Sequence, residues 1–145
     1  MNKILFICRG NVARSQIAEA FCEQYTEGAI QATSAGTKLS RGEQTIEEFG
    51  SVVDNLITVM KEEEIDISKN MCKEVSREMA NGADKIVLIV DDEDPVPDYL
   101  AESSKTVRWD IPDPKGKSLK FHREVRDKIK EGVKELLKDK EKKEK

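Results

Sequence analysis

The sequence predicts an α/β fold in three layers, a four-stranded parallel sheet with helices on both faces. Two short apolar runs, KILFI (3–7) and KIVLIV (85–90), are uninterrupted, as expected for strands buried on both sides. Segments with apolar residues at helical spacing follow the first run and recur between later strands and at the end of the chain. Strands that alternate with helices join through right-handed crossovers, and such crossovers pair strands in parallel.

KILFI ends at Cys8. From Ser15 onward the spacing puts Ala18, Phe21, Cys22 and Tyr25 on one helical face, and Gly28 stops the helix. AIQATS (29–34) reads as the second strand, and residues 35–50 read as a long polar connection containing Gly36, Gly42 and Gly50. Val52, Leu56, Val59 and Met60 mark a second helix, and a weaker helix is expected over about 72–80. KIVLIV is the third strand, and DDEDPVP breaks it sharply. KTVRW (105–109) is the fourth strand, followed by the proline-containing loop DIPDPKGKS. The last helix carries Phe121, Val125, Ile129, Val133 and Leu136 as one apolar stripe. KDKEKKEK (138–145) has no apolar residue and reads as a charged, frayed tail on a single domain spanning 1–137.

The 145 residues suffice for one core. A net charge of -4 gives no general attraction for nucleic acid. No run reaches the ~20 apolar residues of a membrane span, and the opening MNKILFIC does not resemble a signal peptide. Three cysteines without a CxxC pair, and one histidine, support neither a disulfide framework nor a zinc site. The expectation is a cytoplasmic protein with reduced thiols, no metal or other cofactor, and neither nucleic acid nor membrane as partner.

In open parallel sheets ligands bind outside the carboxyl ends of the strands. Cys8 and Asp91 fall at two such ends, and Asp110 and Asp113 lie just beyond a third. CRGNVARS (8–15) therefore sits where a strand hands over to a helix and backbone N–H groups are unpaired. A loop made of Arg9, Gly10, Asn11, Val12 and Ala13 can wrap its N–H groups around a tetrahedral oxyanion, aided by the helix dipole. Gly10 permits close backbone approach and positive φ, and Asn11 tolerates a left-handed conformation while bracing the loop through its amide. Arg14 brings a planar fork that grips two oxygens. The same field favours the thiolate of Cys8, and Ser15 can donate a hydrogen bond to the sulfur. The result is a nucleophile held against an anion, with donors for a phosphoryl transition state. Asp113, before Pro114, is placed to protonate a leaving group and then to activate water; Asp110 competes for that role. Asp91 and Asp92 read as loop braces, and His122 as a surface or core-edge side chain.

ILFICRGNVARSQIAEAF, TSAGT (33–37), MKEEEIDIS (60–68), KIVLIVDD and WDIPDP together resemble the low-molecular-weight protein tyrosine phosphatase family and the arsenate reductases that share its flavodoxin-like fold. The resemblance implies Cys8 as nucleophile, Arg14 as phosphate clamp and Asp113 as general acid. It also implies that Asn11, Ser15 and Ser34 hold the loop and the thiolate. The activity so implied is phosphate monoester hydrolysis through a phosphocysteine, on a phosphorylated protein or a small phosphate ester. Phosphate, vanadate and arsenate would be ligands of the same loop.

The chain departs from the family pattern in two places. No aromatic follows Pro114 or occurs in TKLSRGEQTIEE, and a rim of Arg9, Lys115 and Lys117 favours a small or strongly anionic substrate over a flat ring. Arsenate reduction is the second expectation. DDEDPVPDYL lacks the two cysteines that thioredoxin-coupled reductases carry after the third strand, so reduction would need an external thiol. Cys22 and Cys72 read as buried small residues. A third reading, of another class, is a non-catalytic oxyanion-binding or redox-sensing module.

Overall fold

The computed structural model describes residues 2–144, with side chains through residue 139. Four parallel strands form one sheet in the order β2-β1-β3-β4, with β1 (Lys3–Cys8), β2 (Gln31–Gly36), β3 (Lys85–Leu88) and β4 (Thr106–Arg108). β1 is central because five of its six residues are apolar on both faces and all five are buried. Alternation along it feeds two cores. Ile4 and Phe6 pack on one face with residues of α1 (Arg14–Thr26), α2 (Asp54–Lys61) and α5 (Leu119–Glu144). Leu5 and Ile7 pack on the other with Ala80 of α3 (Arg77–Gly82) and Leu100 of α4 (Asp98–Ala101). Among the described residues no helix is long and apolar enough to cross a membrane.

The expected elements are present with shifted ends. Glu27 caps α1 in the left-handed conformation and Gly28 follows at φ 82°, so β2 starts at Gln31 instead of Ala29. The polar connection hides a 3₁₀ stretch, Ile46–Val53, broken at Gly50 (φ 76°), in which Ile46 is fully buried. The helix expected over 72–80 is a correction. Residues 72–75 run extended along the edge of β2, where Gly36 N–H donates to the Lys73 carbonyl (2.7 Å) and Val75 N–H to the Gly36 carbonyl (2.9 Å). The helix begins only after Ser76, whose hydroxyl accepts from Met79 N–H. α4 was not expected from DDEDPVP. The charged stretch 138–145 continues α5 as far as Glu144; its side chains from 140 and residue 145 lie outside the described residues.

Two contacts seat α5 and the loops beside it. The Trp109 ring lies against Gly132, where an added Cβ would come within 3.1 Å of the indole. Glu62, just past α2, accepts from Arg123 Nη2 (2.7 Å) and Arg126 Nη1 (2.7 Å), and Arg126 also donates to the Val59 carbonyl (2.9 Å). These two guanidinium groups hold the Glu62 carboxyl down at about 2. Because the native state binds this proton less tightly than the unfolded chain, the contribution is present above the ordinary value of 4.5 and disappears as pH falls through about 2. Thermal melting should show Glu62→Gln below wild type near neutral pH, with the gap closing in acid.

Candidate active site

The turn between β1 and α1 is shaped by Asn11, which sits in the left-handed region at φ 57° with its side chain fully buried. Gly10 does not occupy that region, a difference from the sequence reading. A Cβ at Gly10 would meet only Val12 Cγ2 at 3.8 Å, an ordinary contact. The Asn11 amide is spent on its neighbours. Nδ2 donates to Ser15 Oγ (2.8 Å), and Oδ1 accepts from Lys73 N–H (2.8 Å) and from Gln16 Nε2 (3.3 Å). Ser15 Oγ lies 2.9 Å from Cys8 Sγ. With Asn11 supplying a hydrogen to the hydroxyl oxygen, Ser15 keeps its own proton to donate to a thiolate. The N–H groups of residues 10–13 take no part in the turn and loop hydrogen bonds of the backbone. The loop thus pairs a buried sulfur with a row of donors at a helix N-terminus.

Arg14, the first residue of α1, is 3% exposed, and its Nη1 donates to Asp91 Oδ1 (3.1 Å) and to the Ile111 carbonyl (3.0 Å). Its Nη2 lies 3.9 Å from Asp113 Oδ2. Asp91 is therefore a brace on Arg14 itself. Arg9 points its Nη1 to Asp94 Oδ1 (2.9 Å), and Asp94 Oδ2 accepts from Asp91 N–H (3.1 Å). The aspartates after β3 thus balance the two arginines of the loop.

Cys8, Gly10, Val12, Ala13, Arg14 and Asp113 line one cavity of about 480 Å³. Asp113 sits at its mouth with 44% of its side chain exposed, and its Oδ1 accepts from Lys115 N–H (3.0 Å). Asp110 is exposed and does not line the cavity. The rim differs from the expected one. Lys115 and Arg9 line the cavity, Lys117 does not, and Lys38 and Arg41 join it. One wall is apolar, built from Phe49, Val52, Val53 and Leu56, and Arg41 lies over the Phe49 ring at 5.2 Å. An aromatic is thus present after all, delivered by the 3₁₀ stretch just beyond TKLSRGEQTIEE. His122 lines the same cavity, buried, with Nδ1 hydrogen-bonded to the Ser118 carbonyl (2.8 Å).

Ser34 is not brought to the loop. It is buried on β2 opposite Phe6, beside the Glu19 carboxyl, whose proton affinity is raised mainly by burial. Its hydroxyl makes no hydrogen bond to Asn11, Ser15 or Cys8. The glycine that matters for close approach is Gly36, where a Cβ would stand 2.6 Å from the Arg9 carbonyl oxygen and 3.0 Å from Asn11 N. Gly36 is the glycine of TSAGT, and the atoms that constrain it lie far off in the chain. Among the described residues no group of three or more His, Cys, Asp and Glu side chains is placed to hold a metal ion.

Residues 3–145 match the family described as low molecular weight phosphotyrosine protein phosphatase. The chain belongs to this family. Similar relatives of this low-molecular-weight phosphatase family member include the glutaredoxin arsenate reductase of Synechocystis sp., 31% identical over 137 residues, which span 94% of this chain and 97% of that one. The arsenate reductase of Brevibacillus brevis is 36% identical over 126 residues, 87% of each chain. Among solved structures, an arsenate reductase in the phosphate binding state is 30% identical with a TM-score of 0.79, covering 96% of this chain and 98% of that one. A low molecular weight protein tyrosine phosphatase from T. tengcongensis, 22% identical, shares the fold with a TM-score of 0.78 over 96% and 99% of the two chains.

Gly36→Ala should lose about 1–3 kcal/mol of unfolding free energy in urea titrations, since backbone must move to admit the methyl group. Gly10→Ala should unfold close to wild type.

Proposed function

We propose that this protein is an arsenate reductase in which Cys8 attacks the oxyanion and Arg14 clamps it. Cys8 and Arg14 line the same cavity. The observation that carries the choice of arsenate is that the similar curated relatives, 31–36% identical over nearly their whole lengths, are named arsenate reductases. In this reading the oxyanion sits in the loop of residues 9–14, its charge met by N–H groups, the helix dipole and the guanidinium of Arg14. Cys8 Sγ forms a bond to arsenic(V), and a hydroxide leaves as water with a proton from Asp113. A second thiol then attacks Cys8 Sγ. The electron pair of the sulfur–arsenic bond departs with arsenic, releasing arsenite and leaving a disulfide. Such chemistry belongs in a reducing cytoplasm, where Cys8 is kept as a thiol.

Phosphate monoester hydrolysis through the same loop is the second reading, and the sequence alone ranks it first. Asp113 at the cavity mouth favours it, because an ester leaving group needs a proton and the resulting phosphocysteine needs an activated water. The apolar wall at Phe49 and the cations Lys38, Arg41 and Lys115 would accept an ester with an apolar body and acidic neighbours.

The purified full chain should be given arsenate with a dithiol, and separately an aryl phosphate, under the same conditions. Arsenite release that needs the dithiol supports the reductase; aryl phosphate turnover without arsenite release removes it in favour of the phosphatase. Cys8→Ala should abolish whichever activity is present, and inorganic phosphate should compete with arsenate. Arg14→Lys should be severely impaired, because an ammonium cannot reproduce the fork. Asp113→Asn should slow esters with poor leaving groups by about 10²–10⁴-fold and activated aryl esters much less.

A further inference from the structure

His122 is the sole histidine of the chain, and it is buried at 4% exposure. It stands in the first turn of α5, and its side chain lines the cavity that Cys8 and Arg14 also line. One edge of the ring is fixed. Nδ1 lies 2.8 Å from the Ser118 carbonyl, which also accepts from His122 N–H (3.0 Å), and Ser118 Oγ accepts from Phe121 N–H (3.1 Å). A carbonyl can only accept, so Nδ1 carries a hydrogen, and in the neutral ring the lone pair is on Nε2. Nε2 has no hydrogen-bond partner among the described residues, and it is not sealed from solvent. A polar atom on a buried side chain is costly to leave bare, so it meets water or a ligand.

The rest of the cavity says what kind of ligand. Val53 and Leu56 are buried apolar side chains in its wall, and Phe49 beside them is half-buried. Its volume of about 480 Å³ suits an organic molecule, and a bare tetrahedral oxyanion seated against Arg14 leaves the apolar wall uncovered. We propose that His122 Nε2 is a specificity-determining acceptor. The cavity takes an oxyanion that carries an apolar organic group, and that group donates a neutral N–H or O–H to Nε2. This rests on residues 9–14 being the oxyanion loop, which both activities above share. The rim cations Lys38, Arg41 and Lys115 oppose a positively charged donor, which leaves alcohols and amides as its class. Because Ser118 already holds the ring, no rotamer of His122 is lost when the donor arrives.

The test uses the full chain without added histidines and ligands that cannot be hydrolysed. These are inorganic phosphate, benzylphosphonates with a hydroxymethyl group at the meta or para position, and the ethyl counterpart of each. Calorimetry gives the affinities. Nitrogen-15 labelling of histidine reports on Nε2 directly, since one imidazole supplies the whole signal. At least one hydroxymethyl ligand should bind about 3–10-fold tighter than its ethyl counterpart and should shift the Nε2 resonance while Nδ1 keeps its hydrogen. In His122→Asn, whose amide can still donate to the Ser118 carbonyl but has nothing in place of Nε2, that ratio should fall to about one. No preference in wild type, a preference that persists in His122→Asn, or a proton on Nε2 overturns the proposal. Phosphate binding without any preference removes only this role of His122, with Nε2 left to water, and the oxyanion loop stands. Failure of phosphate to bind removes the loop reading and this proposal together. Should His122→Asn fail to fold, the wild-type affinities and the Nε2 signal decide.

Discussion

Asn11 holds a backbone angle that few side chains tolerate, φ 57°, and its amide is spent on Ser15, Gln16 and Lys73 N–H. These bonds run in three directions: into the loop, onto α1, and across to the run beyond β2. A buried polar group costs free energy unless paired, and a fully paired network is rigid. The loop at the end of β1 is thus a three-way junction whose shape is determined before any ligand arrives. Ser15 is held against Cys8 through that junction, and the run 72–75 is held against the loop through it as well.

The charges around the loop follow a related logic. Two arginines enter it, and two aspartates from the turn after β3 meet them, so that Arg9 is neutralised by Asp94 outside the chemistry. Arg14 also meets Asp91, yet its second edge still faces the cavity and Asp113. One cation therefore dominates the floor while the rim cations Lys38, Arg41 and Lys115 stay exposed. A field organised this way draws anions in at the rim and concentrates their charge at one depth.

The sheet and the loop are legible in the sequence for a physical reason. β1 and β3 are buried on both faces, so their apolar runs are unbroken, and the Asn11 and Arg14 roles follow from side-chain chemistry adjacent in the chain. What stays hidden depends on partners far away. Residues 72–75 read as a weak helix because an edge strand shows itself only through Gly36, which lies thirty-odd positions earlier. The constraint on Gly36 comes from Arg9 and Asn11 atoms, and nothing in TSAGT states it. Phe49 escapes notice because a 3₁₀ turn broken by a left-handed glycine has no simple period to recognise. Ser34 shows the reverse error, since a family resemblance assigns it a contact that its place on β2 does not make.

The grip on Arg14 Nη1 by Asp91 and the Ile111 carbonyl has a consequence for binding entropy. A long side chain free in solution gives up rotamers when it closes on a ligand, at about 0.5–1.5 kcal/mol for each one immobilised. Arg14 is buried and doubly anchored, so that freedom is already surrendered when the chain folds. An oxyanion bound as proposed would meet a site that has nothing left to order at Arg14. Its affinity is then governed by charge and by the fit of its oxygens. In the proposed reading, an anion of the right geometry would be held at little entropic cost, and selection among tetrahedral anions would fall to the reactivity of Cys8 with the central atom.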